Sequence, residues 1–124
     1  MIIYDTGALV AGERSNRRMW ALHDAALRRG IAPTVPAPVL AQAWRGGPQA
    51  RLSQMLRGCG VLAMDEPIAR VAGRLCGAAG TSDVIDASVV ATAAPQRAAI
   101  VTSDPTDLRH LLSAANIDVP IHQV

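Results

Sequence analysis

The chain has 124 residues, which is the size of one domain and enough to bury a core without disulfides or metals. Half of the residues are apolar, which excludes a mainly disordered protein, and no apolar run approaches the ~20 residues that span a bilayer. Twelve arginines, no lysine and ten acidic residues give a formal net charge of +2, which alone does not indicate a nucleic-acid-binding protein. We therefore expect one domain over residues 1–124 and no contact with a membrane.

Short apolar runs alternate with helical stretches, a pattern typical of an α/β protein with a mostly parallel sheet. The predicted strands are the apolar runs at 2–5, 31–35, 61–65, 98–102 and 119–124. The predicted helices have proline or glycine at their ends and lie at 14–29, 36–44, 49–57, 67–79, 83–94 and 105–115.

The start of the chain and the cysteines bear on the cellular compartment. Met-Ile-Ile-Tyr-Asp lacks the basic start of a signal peptide. Cys59 and Cys76 are too few and too far apart for a disulfide framework or a CxxC metal site. We therefore expect a cytoplasmic protein with reduced thiols. The three histidines are isolated, and we expect them at the surface or at its boundary.

Two acidic residues follow predicted strands. Asp5 ends the first strand, and Asp104 comes shortly after the strand at 98–102. In a parallel sheet both lie beyond the carboxyl ends of strands, where α/β proteins bind their ligands. Each also has the sequence context of a helix N-cap, so capping and a functional role both stay open for these two residues.

Asp86 lies in a helix whose later residues are almost all apolar, and a helix that is apolar all round is buried. A buried carboxylate costs several kcal/mol unless a cation or hydrogen-bond donors compensate it. Asp83 lies one turn earlier and is a candidate N-cap, with Asp86 as its partner in the first turn. Asp107 has the same spacing from Asp104, and there we favour a purely capping role.

If Asp5, Asp86 and Asp104 converge, their mutual repulsion raises their pKa values unless a cation neutralises them. A site of oxygen ligands suits Mg²⁺ or Mn²⁺ rather than zinc, and such ions promote attack of water on a phosphoryl group. Outside these three acids, the rest of the chain has five more arginines than acidic residues. An acidic metal pocket on a basic body suits an enzyme that cleaves a polyanion.

Four segments of the sequence resemble, in order and spacing, the motifs of PIN-domain ribonucleases. They are Ile-Ile-Tyr-Asp5-Thr-Gly-Ala-Leu, Val-Leu-Ala-Gln42-Ala-Trp, Asp83-Val-Ile-Asp86-Ala-Ser-Val-Val-Ala-Thr-Ala and Ile-Val-Thr-Ser-Asp104. The resemblance runs from Met1 to the last predicted strand. The length of the chain resembles that of VapC-type toxins of bacterial toxin–antitoxin pairs.

The resemblance implies a three-layer α/β/α sandwich around a mostly parallel sheet and a Mg²⁺- or Mn²⁺-dependent endonuclease that hydrolyses RNA, often tRNA or rRNA. It implies a small antitoxin as partner and a homodimer as assembly. Asp5, Asp86 and Asp104 match the catalytic, metal-binding acids of the family, and Asp83 matches a further acid found in many members.

Gln42 departs from the family pattern, which has a glutamate at this position. Its amide can bind a cation through the carbonyl oxygen, but it cannot act as a base and contributes no negative charge. No acidic residue lies between Ile31 and Arg57 to replace the glutamate. We expect a weaker or altered metal site that keeps activity; the alternative is a silent PIN-like module that binds RNA or an antitoxin without cutting.

Other interpretations fit the residues less well. Asp5-Thr-Gly also occurs in aspartic proteases, but their fold is nearly all β. A receiver domain has acids at strand ends but needs a lysine that this chain lacks. Four arginines near the predicted pocket are candidates for RNA phosphate contacts, with a solvated basic face as the alternative: Arg14, Arg17, Arg18 and Arg45.

Overall fold

The computed structural model describes residues 1–124 and contains five short strands, β1 (Ile2–Tyr4), β2 (Thr34–Pro36), β3 (Gly60–Leu62), β4 (Ala99–Thr102) and β5 (Ile121–Gln123). They form one sheet in the order β3-β2-β1-β4-β5, and every neighbouring pair is parallel. The central strand β1 pairs with β4 along its whole length, from Ile2 opposite Ala99 to Tyr4 opposite Val101.

Seven α-helices cover the sheet. They are α1 (Thr6–Glu13), α2 (Arg17–Arg28), α3 (Ala37–Ala43), α4 (Ala50–Arg57), α5 (Glu66–Ala79), α6 (Val84–Ala93) and α7 (Thr106–Ala114). Helices α1, α2 and α4 pack together on one face and α5, α6 and α7 on the other, while α3 contacts both α1 and α6. The predicted three-layer α/β/α architecture is confirmed, and the sheet is wholly parallel. No helix is long and apolar enough to cross a membrane.

Burial explains why the strands are continuous apolar runs. Because helices cover both faces of a parallel sheet, neither face of a central strand meets water. Ile3, Tyr4, Ile100 and Val101 are accordingly fully buried, whereas all three residues of the edge strand β3 are exposed. The predicted burial of α6 is confirmed too, since seven of its ten residues are buried.

The sequence predicted helix positions better than strand ends, and it did not delimit α1. This helix has apolar or small residues on every side, so it lacks the amphipathic spacing that marks a surface helix. The predicted helix from Arg14 begins only at Arg17, because Ser15 has a left-handed φ of 61° and the side chain of Asn16 caps the helix by accepting a hydrogen bond from Met19 N.

His23 is buried, so its prediction as a surface or boundary residue is wrong. Its side chain lies on α2 beneath the sheet, and its Nδ1 is 2.9 Å from the hydroxyl of Tyr4, which is also buried. The ring of Trp20 packs against it edge-on. Trp20 lies one turn before His23 on the same helix, whereas Tyr4 lies on β1, so no local pattern in the sequence indicates the contact between His23 and Tyr4.

This histidine makes the fold sensitive to acid. Burial lowers the pKa of His23 below its usual 6.5. As the pH falls below about 6.5, the unfolded chain therefore takes up a proton at His23 that the folded chain does not, and the contribution of His23 to stability declines by up to about 1.4 kcal/mol per pH unit. We expect His23→Gln to remove this part of the decline. Denaturant unfolding between pH 7.5 and pH 5.5 measures it, and equal slopes for the two proteins would contradict the prediction.

Candidate functional site

The topology opens a crevice at the carboxyl ends of β1 and β4. The chain proceeds outward from β1 to β2 and β3, then returns to form β4 on the other side of β1. Connections therefore leave these two neighbouring strands in opposite directions, which is where open α/β sheets bind ligands. Asp5 follows β1 directly and Asp104 follows β4 after one residue, so the structure brings the two predicted acids to the same edge of the sheet.

Asp5 is both a helix cap and a buried acid. Its exposed fraction is 6%, and its Oδ1 accepts a hydrogen bond of 2.8 Å from the backbone N–H of Ala8 in the first turn of α1. Burial raises the pKa of Asp5, the charge of Asp104 raises it further, and hydrogen bonds from Thr102, Ala8 and Gly7 only partly oppose this. The capping interpretation is therefore correct for Asp5, but the cap leaves the carboxylate in an unfavourable electrostatic environment.

Asp83 and Asp86 form the first turn of α6. Asp83 caps the helix, and its Oδ1 accepts hydrogen bonds from the backbone N–H groups of Ile85, at 3.1 Å, and Asp86, at 3.0 Å. Asp86 is half-buried behind this cap. Its pKa is raised to about 7, first by burial and then by the charges of Asp83 and Asp5. Helix α6 packs against β1, and across this contact the charge of Asp5, the residue after β1, acts on Asp86.

Asp104 lies close enough to Asp5 for its charge to act on it, and its side chain is turned toward α7. The residue is exposed, and its Oδ1 accepts hydrogen bonds from the backbone N–H of Thr106, at 3.1 Å, and from the Thr106 hydroxyl, at 2.8 Å. These two bonds lower the pKa of Asp104. The charge of Asp104 still raises the pKa of Asp5. Asp104 therefore adds negative charge to the site, although its Oδ1 is hydrogen-bonded to Thr106.

Asp107 contributes to the site in a way that the sequence did not predict. It lies in the first turn of α7, as expected for a residue with a capping role. It also lines a cavity of about 100 Å³ together with Asp83 and Asp86, and its charge raises the pKa of Asp86. Only the packing of α7 beside α6 brings these acids together, so no spacing in the sequence could have shown it.

Gln42 lies at the rim of the crevice. It is exposed on α3, and its Oε1 accepts a hydrogen bond of 2.6 Å from the hydroxyl of Thr6, the residue after Asp5. The structure thus places Gln42 next to the start of α1. Its carbonyl oxygen, the atom that could bind a cation, is engaged by Thr6.

The four candidate arginines are placed differently. Arg14 lines a cavity next to the crevice, and Arg17 and Arg18 are exposed at the start of α2. Arg45 is turned back onto its own backbone, where it donates to the carbonyl of Trp44 at 2.8 Å. Arg14 is therefore the arginine with the clearest access to a ligand in the crevice.

The donor set fits a divalent cation. No three His, Cys, Asp or Glu side chains form a ready-made metal-binding group. One oxygen each of Asp83 and Asp104 accepts hydrogen bonds from backbone N–H groups, which leaves the second oxygen of each available. The charged side chains that raise the pKa values of Asp5 and Asp86 are nevertheless all carboxylates. The one basic side chain that lines the cavity beside Asp86 is His110, whose Nε2 lies 2.7 Å from the carbonyl oxygen of Ala79. Oxygen ligands with uncompensated negative charge suit Mg²⁺ or Mn²⁺, and Asp5 and Asp86 are the residues best placed to hold one.

Three solved structures have the same fold as this chain. VapBC2 from Rickettsia felis, bound to a DNA fragment from their promoter, matches with a TM-score of 0.73 at 14% identity, over 100% of this chain and 99% of the other. FitAcB from Neisseria gonorrhoeae matches with a TM-score of 0.69 at 20% identity, over 99% and 97% of the two chains. A toxin–antitoxin complex from Klebsiella pneumoniae matches with a TM-score of 0.59 at 18% identity, over 86% and 89%.

At these identities the matches establish the architecture, and the PIN-like fold predicted from the motifs is confirmed. No protein-family model matches the sequence, and no curated protein matches it either.

The repulsion at Asp86 leads to a stability prediction. In metal-free buffer above pH 7, we expect Asp86→Asn to unfold at the same or a higher temperature, with a gain on the order of 1–2 kcal/mol, because the neutral amide is not repelled by Asp83 and Asp5. The gain should shrink as the pH falls from about 7 toward 4, since the native carboxyl then takes up a proton and the wild-type protein becomes more stable.

Asp65 provides the matched control for a carboxylate that acts only as a cap. It accepts a hydrogen bond of 3.0 Å from Ile68 N at the start of α5. We expect Asp65→Ala to lose about 1 kcal/mol. Thermal unfolding measures both variants. A comparable loss of stability in Asp86→Asn would contradict the prediction, because it would show that Asp86 stabilises its helix instead of being repelled by Asp83 and Asp5.

Proposed function

We propose that this chain is a metal-dependent endoribonuclease and the toxin of a bacterial type II toxin–antitoxin pair. One observation carries the proposal: Asp5 and Asp86, from distant parts of the sequence, lie where α6 packs against β1, close enough for the charge of Asp5 to raise the pKa of Asp86. Carboxylates placed in this way destabilise one another, which disfavours a purely structural role. They provide the oxygen ligands that a divalent cation needs.

Asp5 and Asp86 would hold the cation, with Asp83 and Asp104 at its sides. When bound, Mg²⁺ or Mn²⁺ supplies positive charge that polarises a phosphoryl oxygen for in-line attack by water. Of the two ligands, Asp5 is fixed in advance by a hydrogen bond at the start of α1, and Asp83, one turn before Asp86, is anchored in the same way at the start of α6. Such anchoring reduces the entropy lost when the reacting groups are aligned.

The charge distribution supports a polyanionic substrate, for which we propose RNA, with tRNA and rRNA as the first candidates. Five more arginines than acids remain once Asp5, Asp86 and Asp104 are set aside. A cognate antitoxin and a homodimer are part of the same proposal. The antitoxin is supported by the fold that the chain shares with the Klebsiella pneumoniae toxin–antitoxin complex and with VapBC2. The homodimer follows from the resemblance of the sequence motifs alone.

Cleavage of RNA tests the proposal. We expect the purified chain, free of antitoxin, to cut a mixture of tRNA and rRNA into discrete fragments with Mn²⁺ or Mg²⁺ and to lose this activity in EDTA. Asp86→Asn should reduce cleavage at least ~100-fold, because it removes a cation ligand. Asp118→Asn is the matched control, since Asp118 is exposed before β5 and far from the carboxyl ends of the strands.

Two outcomes would contradict the nuclease proposal. Cleavage that is equally strong in Asp86→Asn and in EDTA points to a contaminating nuclease. Binding of RNA or of an antitoxin by the folded chain, with no cleavage under either metal, identifies the silent PIN-like module instead.

A substitution at Gln42 gives a second test, because this side chain contacts Thr6, the residue after Asp5. The hydroxyl of Thr6 donates a hydrogen bond to the carbonyl oxygen of Gln42. Because an amide is neutral, this side chain adds no negative charge beside the acids. We expect Gln42→Glu to keep the hydrogen bond from Thr6 and to tighten Mn²⁺ binding about three- to tenfold through the added charge.

Calorimetry with Mn²⁺ measures this change, and Gln96→Glu is the control for a new carboxylate at an exposed position away from the crevice. Equal Mn²⁺ affinities for the two variants would show that the side chain at position 42 lies outside the reach of the cation.

A further inference from the structure

A polar groove runs along α1 and ends at the candidate site. Its volume is about 270 Å³. Four of its lining residues are spaced three or four positions apart, so they lie on one face of the helix and its C-terminal end. The lining residues are Gly7, Val10, Ala11, Arg14, Asn16 and Ser103.

The near end of the groove meets the acids. A side-chain carbon added to Gly7 would lie 3.4 Å from Asp5 Oδ1 and 3.2 Å from the backbone N of Ser103, and it would overlap the Ser103 hydroxyl. Glycine therefore lets the loop after β4 pack against the start of α1. The groove opens from this contact, with Ser103 next in sequence to Asp104.

The far end of the groove is basic. Arg14 is exposed and has no acidic partner, since the one ion pair in the structure joins Arg70 and Glu66. The carboxylate of the adjacent Glu13 accepts a hydrogen bond of 3.0 Å from Gln49 Nε2 instead. No carboxylate lines the groove, whereas three line the cavity on the α6–α7 side of the crevice.

Two further groups in the groove can donate hydrogen bonds. The Oδ1 of Asn16 accepts from Met19 N, and its amide N–H groups make no hydrogen bond within the chain. Ser103 contributes a hydroxyl. Arginine, amide and hydroxyl donors without a competing acid are the groups that bind phosphate oxygens, and the planar guanidinium can form two parallel hydrogen bonds with them.

We propose that this groove binds the sugar–phosphate backbone of a single RNA strand on one side of the scissile bond, with Arg14 contacting a phosphate. Along the helix axis Arg14 lies roughly 10 Å from Gly7, a separation that suits a phosphate beside the scissile one rather than the scissile phosphate itself. The strand approaches over the α1–α2 side, because the acids on the α6–α7 side repel it. This inference rests on the proposed function, whose substrate path it specifies.

RNA binding without cleavage tests the groove separately from the nuclease. In EDTA, the full chain is titrated against a short fluorescein-labelled single-stranded RNA of mixed sequence, and anisotropy gives the affinity at several salt concentrations. The variants are Arg14→Gln, Arg14→Lys and, as control, Arg74→Gln, an exposed arginine on α5 in the opposite helix layer.

We expect Arg14→Gln to bind more weakly than Arg74→Gln and to have a salt slope smaller by about 0.7, the value for one phosphate contact with a single strand. Its deficit relative to wild type should therefore shrink about 2.6-fold between about 50 and about 200 mM salt. Arg14→Lys should restore the slope, because it keeps the positive charge.

Equal affinities and slopes for Arg14→Gln and Arg74→Gln would overturn the inference and leave the groove for another ligand, such as a peptide. Cleavage by the wild-type chain, measured in parallel, distinguishes the two proposals. A chain that binds RNA through Arg14 but does not cut supports the groove and contradicts the nuclease. A chain that cuts RNA, but whose affinity for RNA does not depend on Arg14, supports the nuclease and contradicts the groove.

Discussion

The repulsion among carboxylates at the β1–β4 crevice is the constraint around which the structure is organised. Asp5 is buried directly after the central strand, and Asp86 lies near it on a helix whose only other polar side chains are Ser88 and Thr92. Burial raises the pKa values of both groups, and neighbouring carboxylates raise them further, Asp104 at Asp5 and Asp83 and Asp5 at Asp86. The chain without a cation therefore carries an electrostatic cost at this point. A divalent cation at the crevice would remove that cost, which links the electrostatics of the fold directly to the proposed chemistry.

Several local features keep the acids in place despite their repulsion. Backbone N–H groups at the starts of α1 and α6 bind Asp5 and Asp83, and Thr106 binds Asp104. The missing side chain of Gly7 lets the loop after β4 lie close to α1. Helix capping and a functional role are therefore compatible here, because a cap uses one carboxylate oxygen and orients the group at the same time.

Much of the fold could be predicted from the sequence, because buried parallel strands and capped helices leave strong local patterns. The helices that end at Gly80 and near Pro95 are within one residue of their predicted positions. The strand predicted from residue 31 begins only at Thr34. Its start is set by pairing with β1 and β3, which hydrophobicity alone does not specify.

The candidate site was predictable in its residue types but not in its geometry. Asp5, Asp83, Asp86 and Asp104 were identified by their positions at strand ends and in an apolar helix. The contribution of Asp107 and the bond between Thr6 and Gln42 depend on which helices pack side by side. His23 was misjudged for the same reason, because its partner Tyr4 lies on a different element.

Anomalous diffraction from crystals of the chain soaked with Mn²⁺ would locate a bound cation. We expect a Mn²⁺ peak in the crevice between β1 and β4, in contact with the carboxylates of Asp5 and Asp86. A crevice without a Mn²⁺ peak, in crystals that bind Mn²⁺ elsewhere, would contradict the proposed metal site. So would a crevice without a peak in which both carboxylates are hydrogen-bonded only to protein.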